Sequence, residues 1–137
     1  MVVENILWMI EMPTVGYFDG TDSILLTKIA AQGFCTVPLG NGWDGHGKMA
    51  TLLEPGEVDL VIAYLHKLLP PKDAEETPVP TPVNLLHRAK SYNIPIFVIV
   101  PKEFHKEAKK RLGEAADYVK LVAPDDLDAE VRKKLNF

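Results

Sequence analysis

Three short stretches carry residue types and spacings that could do chemistry. The first is the glycine loop Gly40-Asn41-Gly42-Trp43-Asp44-Gly45-His46-Gly47. A carboxylate and an imidazole two residues apart, Asp44 and His46, suit a general base with a helper. They could also be two metal ligands, but no third ligand is near in sequence, so no metal is expected. The four glycines of this loop let backbone approach a ligand closely, with Gly40 and Gly42 beside it. The second stretch is Gly20-Thr21-Asp22-Ser23, which opens a helical pattern. Backbone N–H groups at a helix start, with hydroxyls beside them, attract phosphate or carboxylate. Gly20, Thr21 and Ser23 are therefore the expected anion holders, although Asp22 would repel an anion; the plainer alternative is a capped turn. The third is His66-Lys67, at the end of the most apolar run. His66 and Lys67 could bind a phosphate or act as an acid, or the pair could be a solvated strand end. His87 and His105 fall at surface-like helical positions. No cofactor is expected. Gly20–Ser23 is neither a Walker loop nor GxGxxG. A cobalamin-type Asp-x-His-x-x-Gly fails because position 49 is Met.

These stretches need elements to hold them. Ile6–Ile10 reads as a first strand, which Thr14–Phe18 extends or follows. Asp22 or Ser23 caps a helix with Leu25 and Ile29 inward, and Gly33 ends it. Phe34–Leu39 reads as a strand containing Cys35, expected as a buried thiol. After the glycine loop a helix is expected, with Met49, Leu52 and Leu53 inward, broken by Pro55-Gly56. Val58–Leu65 (VDLVIAYL) is nearly continuously apolar, as a parallel strand buried on both faces must be. Leu68–Pro82 holds five prolines and is too long for an ordinary connection, so it reads as a lid or a disordered segment. Thr81-Pro82 starts a helix with Leu85, Leu86, Ala89 and Tyr92 inward. Asn93 closes it, and Ile94–Val100 is a second buried strand. Pro101–Gly113 is an amphipathic helix with Phe104, Ala108 and Leu112 inward. Asp117–Val122 is a lateral strand, and Asp125 or Asp126 caps a last helix with Leu127, Val131 and Leu135 inward. Strands alternating with helices signal an open parallel sheet. The expectation is one α/β domain over residues 1–137: a three-layer sandwich with a mostly parallel sheet and helices on both faces, flavodoxin-like.

Composition sets outer limits. The chain has 137 residues, enough for one domain with a real core. The net charge of −4 leaves no basic footprint for nucleic acid. No apolar run reaches the length of a membrane helix, so no membrane partner is expected. The N-terminus has no basic region and carries Glu4 and Glu11, unlike a signal peptide. A single cysteine allows no internal disulfide and fits a reducing cytoplasm.

The order of motifs over roughly residues 17–100 resembles methylglyoxal synthase and its fold relatives. That family has a Gly-Thr-Thr-Gly turn opening a helix, where this chain has Gly20-Thr21-Asp22-Ser23. A glycine–aspartate loop follows at nearly the same spacing, here Gly40 to Asp44. Val58-Asp59 introduces the central strand, and Asn93-Ile94-Pro95 leads into the next one. The resemblance implies that Asp44 is the catalytic base and that Thr21 binds phosphate. It also implies a methylglyoxal-synthase-like fold and self-association into a homo-oligomer. The family's later-loop histidine and aspartate have no counterpart at Pro78–Pro82.

The sequence thus points to a domain that binds a small phosphorylated or carboxylated metabolite at its strand ends. Proton abstraction beside a carbonyl, by a lyase or isomerase, is the reaction that suits a carboxylate base. Whether the chain is an enzyme stays open. The alternative is a non-catalytic regulatory or protein-interaction domain of the same fold.

Overall fold

The computed structural model describes residues 13–70 and 80–137. The expected strand at Ile6–Ile10 and most of the proline-rich stretch lie outside them. The described strands form a six-stranded sheet, parallel at every pairing. They are β1 (Thr14–Phe18), β2 (Cys35–Gly40), β3 (Lys48–Met49), β4 (Leu60–Tyr64), β5 (Ile96–Ile99) and β6 (Lys120–Val122). Their spatial order is β3-β2-β1-β4-β5-β6. Without the two-residue β3, this is the flavodoxin-like order 2-1-3-4-5.

Four described helices cover the two faces: α1 (Ser23–Ala31), α2 (Pro82–Ser91), α3 (His105–Leu112) and α4 (Leu127–Leu135). The alternation of side chains along the central strands separates two cores. Leu60 and Ile62 of β4, with Phe97 and Ile99 of β5, pack with Leu25 and Ile29 of α1 and Leu127 and Val131 of α4. Val61 and Ala63, with Ile96 and Val98, pack on the other face with Leu85, Leu86 and Ala89 of α2 and Ala108 and Leu112 of α3. Leu60 to Ala63 are at most 1% exposed, which explains why this run is apolar at every position. The chain moves from β1 to β2 through α1 on one face. It moves from β4 to β6 through α2 and α3 on the other. Right-handed crossovers run in opposite directions require such a change of face. The direction of winding reverses between β1 and β4, which makes that pair the topological switch point.

The helix boundaries follow local chemistry. Asp22 caps α1 by accepting from the Ile24 N–H at 2.9 Å, and Gly33 follows its end at φ +93°. Thr81 and Asn84 form a capping box on α2, with Pro82 at the first turn. Asn93, at φ +56°, turns the chain towards β5.

Four sequence expectations are corrected. The helix expected after the glycine loop is β3 followed by a 3-10 turn, Ala50–Leu52. In that tighter turn Leu52 points out, 55% exposed, while Leu53 is fully buried. Phe104 is also 55% exposed, because Lys102–Phe104 is a 3-10 turn. Its side chain is thrown off the 3.6-residue stripe that Ala108 and Leu112 keep. Cys35 is exposed, since it begins β2, a strand buried only at its last two residues, Leu39 and Gly40. The strand expected from Asp117 starts only at Lys120, because Gly113–Tyr118 is coiled into 3-10 turns.

Candidate functional site

The carboxyl ends of β1, β2 and β4 meet at Lys67. This residue ends the 3-10 turn Leu65–Lys67 that directly follows β4. Its ammonium lies 3.4 Å from Asp19 Oδ2, just past β1, and 3.7 Å from Asp44 Oδ2 on the loop after β2. The Cβ direction of Gly20 points at the Lys67 stem, with the Lys67 Cε 3.9 Å from where that Cβ would sit. The group therefore sits at the switch point, where open α/β sheets bind ligands. The Lys67 side chain is 19% exposed and that of Asp44 13%, so their attraction is screened less than that of a surface pair.

The loop after β2 is built to fold back on its own strand. A Cβ on Gly40 would strike the His46 carbonyl oxygen, and one on Gly47 would strike the Pro38 carbonyl. Gly42, Gly45 and Gly47 all hold positive φ, at +95°, +67° and +62°. These glycines answer a backbone need before any ligand enters the argument. The loop is then fixed by Asn41, which is fully buried. Its Oδ1 accepts from the Trp43 N–H at 3.0 Å and the Asp44 N–H at 3.2 Å. Its Nδ2 donates to the Lys67 carbonyl at 2.9 Å. One amide side chain thus ties the aspartate's loop to the lysine's turn.

Asp44 and His46 are locked in turn. Asp44 Oδ1 accepts from the His46 N–H at 3.1 Å. Its other oxygen, Oδ2, is buried and has no hydrogen-bond donor among the described residues. His46 Nδ1 lies 2.9 Å from the Leu39 carbonyl. A carbonyl only accepts, so Nδ1 carries a proton, and in the neutral tautomer this bond selects, Nε2 is the acceptor. The His46 ring stands edge-on to Tyr17, with centroids 5.6 Å apart.

The first turn is occupied differently. The Thr21 hydroxyl, buried with its residue, donates to the Phe18 carbonyl at 2.7 Å. Asp22 takes the Ile24 N–H. Ser23 is exposed at the first position of α1. His66 is exposed, its ring tilted against Tyr64 at 5.9 Å. Of the pair His66-Lys67, the lysine is the one that meets the loop. His87 is exposed, and His105 donates from Nε2 to the Val100 carbonyl at 2.8 Å.

Asp19 and Asn41 are the residues that sequence reasoning missed as parts of the site. Asn41 had a signal: an asparagine between two glycines after a strand commonly binds backbone two residues on. Its bond to the Lys67 carbonyl, 26 residues away, had none. Among the described residues no group of three or more His, Cys, Asp or Glu side chains gathers as a metal site. No described helix is long and apolar enough to cross a membrane. Comparison with known protein families gave no match, and no curated protein matches the chain.

Proposed function

We propose that the crevice around Lys67 binds a small phosphorylated or carboxylated metabolite, and that Asp44 and His46 move a proton on it. The observation that carries this reading is the meeting of Lys67, Asp19 and Asp44 at the switch point, with His46 Nε2 available as a proton acceptor. Lys67 supplies the positive charge for the ligand's anionic group. Asp44 Oδ2 is a carboxylate oxygen whose nearest described counter-charge, Lys67, is 3.7 Å away, too far for a hydrogen bond. It is covered, so a ligand engages it by displacing the Lys67 ammonium, which then turns to the ligand's anion. A lyase or isomerase that removes a proton beside a carbonyl suits this set. The resemblance to methylglyoxal synthase, which assigns the base to Asp44, supports the same class.

A second reading is a non-catalytic regulatory or interaction domain. It draws on two observations: Asp22 occupies the helix start where an anion would sit, and Asp44 is already engaged by its own loop. Thermal-shift screening against phosphate, dihydroxyacetone phosphate and carboxylated metabolites separates the two, since binding to the folded state raises Tm. A shift that is lost in Lys67→Met and Asp44→Asn supports the crevice and warrants a turnover assay. The absence of any shift at millimolar ligand would leave the interaction domain as the better account.

A further inference from the structure

The opposite end of the sheet carries a second concavity that shares nothing with the Lys67 crevice. It lies at the amino ends of β5 and β6, under the last turn of α4, and has a volume of about 570 Å³. That is the size of an ordinary small-molecule pocket. Its floor is apolar, from Pro95, Ile96, Phe97 and Val119. Its rim carries Lys120, Lys133, Lys134 and Glu130. Glu130 is paired with Lys120 at 2.6 Å, so the excess charge on the rim is that of Lys133 and Lys134.

Tyr118 stands in the wall between this concavity and a smaller neighbour lined by Lys90, Asn93 and Pro95. Its hydroxyl is buried and has no hydrogen-bond partner among the described residues. An unmet buried hydroxyl is a cost that a fold normally avoids. The Lys90 ammonium lies over the Tyr118 ring, 5.0 Å from its centroid. Burial, and secondly the charge of Glu114, push the phenol's pKa up, so at neutral pH it remains a donor in search of an acceptor.

We propose that this amino-end concavity is a second binding site, for a small organic anion with an apolar body and one carboxylate or sulfonate group. The apolar floor takes the body. The anionic head sits at the Lys133–Lys134 rim, and a shift of the Tyr118 side chain brings its hydroxyl onto the same head. The site is separate from the crevice proposed above, so either can fail without the other.

The test is an NMR titration of the intact chain with 2-naphthoate. The expected result is saturable shifts of the Phe97, Tyr118, Val119 and Lys134 amides. Affinity should fall at least tenfold in the double variant Lys133→Gln/Lys134→Gln and about threefold in Tyr118→Phe. The uncharged analogue 2-naphthamide should bind at least tenfold more weakly. Absence of saturation, shifts centred on Asp44 and Lys67, or equal binding of the uncharged analogue would overturn the proposal. So would wild-type affinity in the double lysine variant. Because those lysines are exposed, that variant keeps its fold and the comparison stays interpretable. Unchanged affinity in Tyr118→Phe would remove the hydroxyl from the site.

Discussion

The turn after β1 and the loop after β2 both end a parallel strand, both carry glycine and aspartate, and both border Lys67. They differ in what their polar groups are left to do. In the turn, Thr21 donates to Phe18 and Asp22 caps α1, so the hydroxyl is taken up by the end of β1 and the carboxylate by the start of α1. In the loop, a separate residue, Asn41, does the structural work, which leaves Asp44 Oδ2 and His46 Nε2 with no hydrogen bond among the described residues. A connection can offer chemistry when something else holds its backbone.

The largest effects should come from the glycines that let the loop fold back. Gly47→Ala combines a positive φ with a collision at the Pro38 carbonyl. It should cost about 3 kcal/mol or more, as strain and overpacking together do. Gly45→Ala has a similar φ of +67° but open space around it, and should cost only about 1 kcal/mol. Urea unfolding of the two variants side by side checks this. Equal losses would mean that close packing against β2 is not what holds the loop.

Next comes the anchor. Asn41→Ala leaves the Lys67 carbonyl and two N–H groups without their partner, and should cost about 2–3 kcal/mol. It should also loosen the approach of Asp44 to Lys67, and so weaken any ligand found by thermal shift. Thr21→Val removes one buried hydroxyl bond and should cost about 1 kcal/mol. If the loop rather than the turn is the site, Thr21→Val should keep ligand affinity while Asn41→Ala loses it. The reverse pattern would move the anion to the first turn and undo the contrast between the two connections.

How far the sequence could be read follows from the same contrast. Elements governed by periodicity and caps were legible: β4 from its unbroken apolar run, α1 from Asp22 and Gly33, and α2 from Thr81-Pro82. The parallel sheet with helices on both faces followed from their alternation. Met49–Leu53 was not legible, because one or two turns of apolar residues read alike as helix, 3-10 turn or strand. Lys48 and Met49 instead pair with Leu39 and Gly40 of β2, across a loop whose fold-back no apolar spacing encodes. Phe104 failed for a related reason: the residues before α3 coil as 3-10, and the phase of the helix does not extend into them. In the site, Asp44, His46 and the glycines stood out by type. That Lys67 would meet Asp19 and Asp44 depends on strand order, which pairs β1 with both β2 and β4 and which no local pattern encodes.

The smallest expected effect lies away from both connections and serves as their control. Asp128 at the start of α4 bonds Lys28 of α1 at 2.8 Å and Arg132 at 2.7 Å. Those two bonds, that from Lys28 first, hold its pKa below the ordinary 3.8. A carboxylate whose folded pKa is depressed contributes stability above its unfolded pKa and loses it as pH falls through the folded value. The contribution of Asp128 is therefore complete at neutral pH and vanishes only in acid, below about pH 4. Because the pair is exposed, the effect should be slight and should shrink in high salt. Acid unfolding of wild type and Asp128→Asn, at low and high salt, measures it. The two curves should converge as pH falls and also as salt rises. Ligand affinity in the crevice should be the same in both proteins, since α1 and α4 meet on one face of the sheet and Asn41 holds the loop independently. A binding defect in Asp128→Asn would mean that the packing of α1 reaches the site through Asp22, and that the two connections are less separate than their hydrogen bonds indicate.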